Sequence, residues 1–183
     1  RLVRLPFDIR NSKFIQIGKG FTSGRNCRIE SFPEDMNQKT PNLIIGNNVQ
    51  INDYVHISAR QKVIIGDNSG ISGASIVSTK SIIIGNRVLI GGGVGIWDTD
   101  FHPLDFNKRR DHQTKGAKSK PIIIEDDVMM GAGVQIHVNN LKFERTDIPF
   151  IDQGYYPDEQ VTVKKGSWLG ANSILLPGVT IGE

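Results

Sequence analysis

An isoleucine stands at every sixth position of Ile84-Gly85-Asn86-Arg87-Val88-Leu89-Ile90-Gly91-Gly92-Gly93-Val94-Gly95-Ile96. The same spacing recurs along the chain in triplets that are almost wholly aliphatic: Ile17, Ser23 and Ile29; Ile45, Ile51 and Ile57; Ile65, Ile71 and Val77; Ile124, Met130 and Ile136; Val163, Leu169 and Leu175. An α-helix cannot hold such residues on one stripe, because six steps of about 100° do not complete a whole number of turns. A coil with three short flat sides can, since each side then contributes one inward aliphatic residue.

Small and turn-forming residues follow the aliphatic positions. Glycine comes next at Gly46, Gly66 and Gly85, and asparagine or aspartate often comes after it. These residues tolerate the backbone conformations of tight bends. Sandwich strands would instead alternate with a period of two between turns about every 8–12 residues. The sequence therefore predicts an all-β solenoid, a triangular prism over residues 17–183 that is preceded by an N-terminal capping segment, residues 1–16.

The insertions into the repeat share one place in the coil. Within a triplet the spacing is six, and every longer gap falls between the third residue of one triplet and the first of the next. The insertions 30–42, 97–120 and 137–160 are therefore expected to leave from one corner of the prism. The last two come from consecutive coils and should lie side by side. Long loops on a rigid scaffold are common places for a functional site.

The repeat resembles the hexads of the hexapeptide-repeat acyltransferase family, whose fold is a left-handed parallel β-helix. The segment Asp98-Thr99-Asp100-Phe101-His102-Pro103-Leu104-Asp105 is similar to one in maltose- and galactoside-type O-acetyltransferases and in those that acetylate capsule or lipopolysaccharide sugars. The resemblance implies an acetyl-CoA-dependent O-acetyltransferase that acts on a sugar or polysaccharide precursor. It also implies that His102 is the general base in a ternary complex.

The residues around His102 suit that chemistry. A histidine has a pKa near neutrality and can take a proton from an attacking alcohol. Its second ring nitrogen needs an orienting acceptor, for which Asp98, Asp100 and Asp105 are the candidates; these three and His137 are the predicted substrate-binding residues. In the second loop, Leu141 stands where the resemblance has a histidine, and His137 is a partial substitute or else a residue stacked on Trp97.

The C-terminal coils carry the second part of the resemblance. The strings Ser167-Trp168-Leu169-Gly170-Ala171 and Leu176-Pro177-Gly178-Val179-Thr180-Ile181-Gly182 are similar to strings in acetyl-CoA-using members. The residues that this implies for cofactor binding are Trp168, Gly170, Ala171, Lys164 and Pro177. Lys165 and a basic group of the first loop are further phosphate partners: Lys108, Arg109, Arg110, Lys115, Lys118 and Lys120. The resemblance also implies a homotrimer with sites between subunits.

Composition excludes several classes of protein. The chain has 183 residues, 38% hydrophobic and 22% charged, which is unlike a disordered protein, and its apolar runs are too short for a transmembrane segment. A net charge of +3 is too small to indicate a nucleic-acid partner. The single cysteine, Cys27, allows no intrachain disulfide and favours the cytoplasm, with a peripheral position at the inner membrane face as an option. We expect a further coil and a cap after residue 183.

Two alternatives remain at this stage, and a third is disfavoured by the histidine spacing. An N-acetyltransferase of an amino sugar would use the same fold and base. A non-catalytic β-helical scaffold would use the loops to bind partners. A gamma-type carbonic anhydrase would need three histidines around a metal, but His56, His102, His112 and His137 lack that spacing, so no metal is predicted.

Overall fold

The computed structural model describes residues 7–110 and 117–182, which form three parallel sheets that run the length of a prism. Sheet 1 consists of β1 (Asp8–Arg10), β4 (Arg28–Ser31), β7 (His56–Ala59), β10 (Ser75–Ser78), β13 (Gly95–Trp97), β16 (Gln135–His137) and β19 (Ile174–Leu175). Sheet 2 consists of β2 (Ile15–Ile17), β5 (Leu43–Ile45), β8 (Val63–Ile65), β11 (Ile82–Ile84), β14 (Ile122–Ile124), β17 (Val161–Val163) and β20 (Thr180–Ile181). Sheet 3 consists of β3 (Thr22–Ser23), β6 (Gln50–Ile51), β9 (Gly70–Ile71), β12 (Leu89–Ile90), β15 (Met129–Met130) and β18 (Trp168–Leu169).

Each coil adds one strand to every sheet, and the sheets follow in the order 1, 2, 3 along the chain. Neighbouring strands within a sheet therefore come from successive coils and pair in parallel. This is the left-handed parallel β-helix that the resemblance implies, and the prediction of fold class is confirmed. In residues 7–110 and 117–182, helix is confined to a 3-10 turn at Ser12–Phe14 and to two short segments in the long loops, α1 (Phe106–Arg110) and α2 (Phe150–Gln153).

The core is a set of aliphatic columns inside the prism. In sheet 2, the inward residues Ile45, Ile65, Ile84, Ile124 and Val163 are paired one above the other and are 0–1% exposed. Each fully buried side chain of this size stabilises the fold by about 1.5–3 kcal/mol relative to an exposed one. Cys27 is a free thiol in the same core, as its position in the repeat suggests.

One inward position differs from the sequence prediction. Ile76, not Val77, pairs with Ile57 and Ile96 in sheet 1, and it is fully buried while Val77 faces outward. Here the spacing between successive large inward residues, Ile71 and Ile76, is five positions rather than six. The corner is shortened by one residue, and Gly73 within it has a φ of +49°. The prediction that all spacings within a coil are six was therefore wrong at this corner.

The corner between sheets 2 and 3 shows why the bends need their residue types. A Cβ atom on Gly66 would lie 2.5 Å from the backbone of Gly85 in the next coil, so only glycine fits. The following residues form a ladder: an Asp67 side-chain oxygen accepts from the Asn47 backbone N–H at 2.7 Å, and the Asn86 side-chain oxygen accepts from that of Asp67 at 2.9 Å. Each coil thus satisfies a backbone donor of its neighbour.

The β-helix begins earlier than predicted. β1 and β2 are already paired with β4 and β5, so the coils start at Asp8, within the segment 1–16 that the sequence assigns to a cap. The segment Asp8-Ile9-Arg10 lacks the hexad pattern, but it pairs with β4, and the Asp8 carboxylate accepts hydrogen bonds from the Arg10 and Arg28 side chains.

Among the described residues, no helix is long and apolar enough to cross a bilayer.

The long insertions leave from one corner, as expected. They connect β4 to β5, β13 to β14 and β16 to β17, and each connection runs from sheet 1 to sheet 2. We call the second and third of these loop 1 (residues 98–121) and loop 2 (residues 138–160). Both leave from the same edge of successive coils, and this edge positions the candidate site.

Candidate active site

The two loops close on themselves and on each other. In loop 1, Thr99 forms an antiparallel bridge with Ser119, and in loop 2, Leu141 forms one with Tyr155. Between the loops, the Asn139 amide donates to the Lys118 carbonyl at 3.3 Å, and Lys118 Nζ lies 3.7 Å from Asp158 Oδ2. The expectation that these loops lie side by side is confirmed.

His102 lies at the point where loop 1 turns away from the prism. The preceding Phe101 has a φ of +65°, and the His102 backbone N–H donates to the Asp100 carbonyl at 2.7 Å. Loop 2 holds the other side of the peptide, because the Tyr155 hydroxyl donates to the His102 carbonyl at 3.4 Å. The imidazole itself is exposed.

His102 borders two clefts. The larger, of about 840 Å³, lies over the outer face of sheet 1 beneath loop 1; His56, Ser58 and Arg60 are on the sheet side and Phe101 on the loop side. The smaller, of about 260 Å³, lies between the loops and is lined by Leu104, Asn140 and Tyr155. Only the larger has the size of an ordinary ligand site, which is roughly 300–1,000 Å³.

Asp98 is fully buried and holds a turn rather than the imidazole. Its carboxylate accepts from the Ser78 hydroxyl at 2.7 Å and from the backbone N–H groups of Thr79, Lys80 and Ser81 at 2.7–2.9 Å. These donors occupy both oxygens. The contacts of this predicted substrate-binding residue are thus those of a structural group, since a substrate cannot reach it.

Asp105 is likewise engaged in local structure. It precedes α1, and its Oδ1 accepts from the backbone N–H groups of Asn107 and Lys108 at 2.8 and 3.3 Å, as a helix N-cap does. Within the described part of the chain, no carboxylate is hydrogen-bonded to the His102 ring. The orienting acceptor that the sequence predicts is therefore not formed by Asp98, Asp100 or Asp105 in this structure.

Asp100 lies in a polar cluster between the loops with Tyr155, His137 and Asp158. Burial raises the pKa of the Asp100 carboxyl, and the nearby Tyr155 hydroxyl partly opposes this shift. Burial, followed by the interaction with Asp100, raises the pKa of the Tyr155 phenol, which stays protonated as a donor. Asp100 Oδ2 and Asp158 Oδ1 are buried without a hydrogen-bond partner among the described residues.

His137 stacks on Trp97, as one of the two sequence interpretations predicts. The ring centroids are 5.5 Å apart, and the two residues are partners in sheet 1. Burial lowers the pKa of the His137 imidazole, and the nearby Asp100 carboxyl opposes that shift. His137 is therefore part of the support beneath the loops, beside rather than within the cleft that contains His102.

The predicted cofactor residues are distributed around the last two coils. Lys164 is at the corner between sheets 2 and 3, Trp168 is on the face of sheet 3, and Gly170 and Ala171 are at the next corner. Trp168 is 74% exposed. Pro177 is at the corner from which the loops leave in earlier coils. The structure does not bring Trp168 and His102 together within one chain, because sheet 3 is opposite the loop corner.

Some of the predicted phosphate partners are already paired. Lys118 contacts Asp158, and Lys165 Nζ lies 4.0 Å from Asp127 Oδ2. Lys108, Arg109 and Arg110 form most of α1, and Lys120 closes the base of loop 1 by donating its backbone N–H to Asp98. Lys115 and His112 lie outside the described residues.

Sequence reasoning did not identify two features of this region. Tyr155 and Asp158 are 53 and 56 positions from His102 in sequence, and no local pattern indicates that they meet the first loop. The pairing of His56 Nε2 with Glu30 Oε1 at 3.0 Å was also missed. His56 in β7 and Glu30 in β4 both face outward on neighbouring strands of sheet 1, and their positions in the repeat are the signal from which the pair could have been predicted.

In the described ranges, no three His, Cys, Asp or Glu side chains are grouped so that they could hold a metal ion. His56, His102 and His137 lie apart, on sheet 1 and on loop 1, without the convergence that a three-histidine site needs.

Comparison with known proteins gives one informative match. A 66-residue part of the chain is 39% identical to WbbJ of Escherichia coli K12, a protein assigned to O-acetyl transfer in lipopolysaccharide biosynthesis. The match covers 36% of this chain and 31% of that protein, so the chain spans about a third of the relative that it matches. No family model matches the chain.

A solved structure of AntD, an N-acyltransferase from Bacillus cereus in complex with dTDP and coenzyme A, aligns over 98% of this chain and 76% of its own. Its identity is 17% and its TM-score 0.25, too low to support an argument. The resemblance predicted from the repeat is confirmed over the matched part by WbbJ. The chain therefore combines a six-residue repeat and a parallel β-helix with a local similarity, over about a third of its length, to a protein assigned to O-acetyl transfer.

Proposed function

We propose that this protein transfers an acetyl group from acetyl-CoA to a hydroxyl group of a saccharide, with His102 as the general base. The observation that carries the proposal is the place of His102, an exposed imidazole at the border of two clefts on a rigid edge of the prism. The local similarity to an O-acetyltransferase supports the same reaction class.

The proposed reaction needs no covalent enzyme intermediate. A ring nitrogen of His102 takes the proton of the acceptor hydroxyl while the oxygen of that hydroxyl attacks the carbonyl carbon of the thioester. The carbon–oxygen bond forms, the tetrahedral intermediate collapses, and the carbon–sulfur bond breaks. The imidazolium returns the proton to the thiolate, which leaves as CoA. Cys27 takes no part, since it is buried in the core and its thiol donates to the Asn52 carbonyl at 2.9 Å.

Acetyl-CoA is proposed to lie along the C-terminal coils, against Trp168, with its phosphates near Lys164. A tryptophan that is 74% exposed is an unusual surface residue and favours a ligand or partner contact. Because sheet 3 faces away from the loop corner, Trp168 of one chain can contribute to a site at His102 only through a neighbouring copy. This supports a symmetric oligomer, and a homotrimer is our proposal.

The reaction is tested by measuring CoA release with a panel of neutral sugars, amino sugars and oligosaccharides. We expect His102→Gln to lower turnover by about 10²–10⁴-fold, the usual contribution of a general base. Asn107→Ala, an exposed residue of the same loop, is the matched control and should retain full turnover. Undiminished release by His102→Gln would refute the role of His102, and a response to amino sugars alone would identify an N-acetyltransferase.

The cofactor proposal has its own test. Trp168→Ala should raise the KM for acetyl-CoA by about tenfold, because a large aromatic contact is lost, and leave the KM for the sugar unchanged. The control is Met129→Ala, the paired position one coil earlier, which is 50% exposed. Equal KM values for acetyl-CoA in both variants and the wild type would contradict the placement of the cofactor.

A further inference from the structure

We propose that the larger cleft, over the outer face of sheet 1, is the acceptor site and that it takes an uncharged saccharide. The inference rests on the proposed function and deepens it, since neither the repeat nor the comparisons identify where the acceptor binds. Besides His102, the residues that we assign to acceptor binding are Glu30 and His56, whose side chains pair with each other and line the same cleft.

The cleft has a rigid floor and a wall made by loop 1. Glu30, Ser58 and Val77 are register partners in three successive strands of sheet 1, so their outward side chains form one row. Phe101 and Ser119 of loop 1 line the opposite side. A floor of paired strands holds its side chains at fixed spacings, which suits the recognition of one particular arrangement of hydroxyl groups.

The lining has the chemistry of a polyol site. The hydroxyl groups of Ser58 and Ser119 each carry a donor and an acceptor. The Thr79 hydroxyl, which donates to Asp98 at 3.3 Å, adds an acceptor at the same lining. Phe101 is 39% exposed and supplies an apolar surface on the loop side. Ligand sites in proteins combine such apolar surface with a few placed polar groups. A sugar ring presents the matching surfaces, hydroxyl groups at its rim and C–H groups on its faces.

The charges in the cleft select against acidic acceptors. Among the described residues that line the cleft, Glu30 and Glu34 supply two carboxylates and Arg60 supplies one guanidinium. The Glu30 side chain is only 12% exposed, and its carboxylate accepts a hydrogen bond from the His56 ring at 3.0 Å, so it is held in place. A uronic acid or sugar phosphate brought beside a fixed carboxylate is repelled. A neutral hydroxyl can instead donate to the Glu30 carboxylate in a charge-assisted hydrogen bond.

The position of His102 completes the assignment. Its imidazole is at the loop side of this cleft, and the Glu30–His56 pair is on the sheet side. An acceptor that spans the cleft is thus bound at one end by the pair and presents a hydroxyl to the base at the other. The volume of about 840 Å³ leaves room for more than one sugar residue.

The experiment compares a neutral oligosaccharide that supports CoA release with the same oligosaccharide in which one hexose is oxidised to a uronic acid. We expect the wild type to prefer the neutral form. Glu30→Gln should raise the KM for the neutral form by about tenfold, the usual effect of removing a charged hydrogen-bond partner, and reduce the preference. The KM for acetyl-CoA should not change. Asp152→Asn removes an exposed carboxylate of loop 2, outside this cleft, and is the matched control.

A second variant and a binding measurement make the result decisive. Ser58→Trp should fill the floor of the cleft and abolish acceptor binding, measured by saturation-transfer NMR with the neutral oligosaccharide, while the melting temperature stays as in the wild type. If both variants bind the oligosaccharide like the wild type, or if the wild type prefers the acidic form, the inference is wrong. In a further outcome, the wild type binds the oligosaccharide but releases no CoA, and Ser58→Trp abolishes the binding. That outcome would refute the proposed reaction and support the assignment of the cleft as a saccharide site.

Discussion

Tyr155 is the residue through which loop 2 acts on the proposed base. Its hydroxyl donates to the His102 carbonyl at 3.4 Å, and it interacts with the Asp100 carboxyl. Burial raises the pKa of its phenol above the ordinary value, so the hydroxyl remains a donor even in moderately alkaline solution. Tyr155 therefore positions the peptide that carries the imidazole, and it does so without touching the reacting atoms.

Removing this hydroxyl should affect turnover and not cofactor binding. We expect Tyr155→Phe to lower kcat by about tenfold, because a small misplacement of a catalytic group is costly, with no change in the KM for acetyl-CoA. Tyr156→Phe is the control, since its phenol contacts Glu144 instead. Steady-state kinetics on both variants measures the effect, and equal kcat values would show that Tyr155 does not position His102.

At the level of elements, Asp98 joins the end of β13 to the turn that follows β10. Its carboxylate accepts from the Ser78 hydroxyl and three successive backbone N–H groups of residues 79–81. Its own backbone carbonyl accepts from Lys120 at 3.2 Å and so closes the base of loop 1. One buried side chain thus fixes both the corner of one coil and the start of loop 1 in the next.

Asp98→Asn should therefore destabilise the protein strongly. An amide has one accepting oxygen, so at least one buried N–H group loses its partner, and we expect the free energy of unfolding to fall by about 2–4 kcal/mol. Asp105→Asn, at the exposed N-cap of α1, should lower it by no more than about 1 kcal/mol. Urea unfolding of the two variants checks the prediction, and equal losses would contradict it.

At the level of the whole molecule, the prism is a stack in which each coil contacts mainly its neighbours. Stability in such solenoids is approximately a sum of terms for each coil and each interface between coils. The aliphatic columns follow this rule, since Ile65 in the middle of sheet 2 is 1% exposed, whereas Ile17, nearer the end, is only partly buried.

Matched substitutions along one column test this description. Ile65→Ala should lower the free energy of unfolding by about 2–5 kcal/mol, because it leaves a cavity enclosed by coils on both sides. Ile17→Ala should lower it by less, since water reaches part of that site. The measurement is urea unfolding monitored by circular dichroism, and a larger loss for Ile17→Ala would refute the model of stacked, locally stabilised coils.

The six-residue repeat alone predicts the triangular coil, its three flat sides and the corner from which the loops leave. These features depend on contacts that repeat in every coil, so each hexad reports them again. The sequence also indicated His102 as the proposed base. It did not determine the five-residue spacing from Ile71 to Ile76, because a single shortened corner has no repeat to reveal it.

The residues that surround His102 can be identified only from the three-dimensional structure. Asp98 faces a buried turn and Asp105 caps a helix, whereas Tyr155 and the Glu30–His56 pair come from distant parts of the chain. Loop side chains find their partners through single, non-repeating contacts between segments far apart in sequence. Such contacts depend on how two loops pack against each other and against a sheet face, and no periodic pattern in the sequence records that packing.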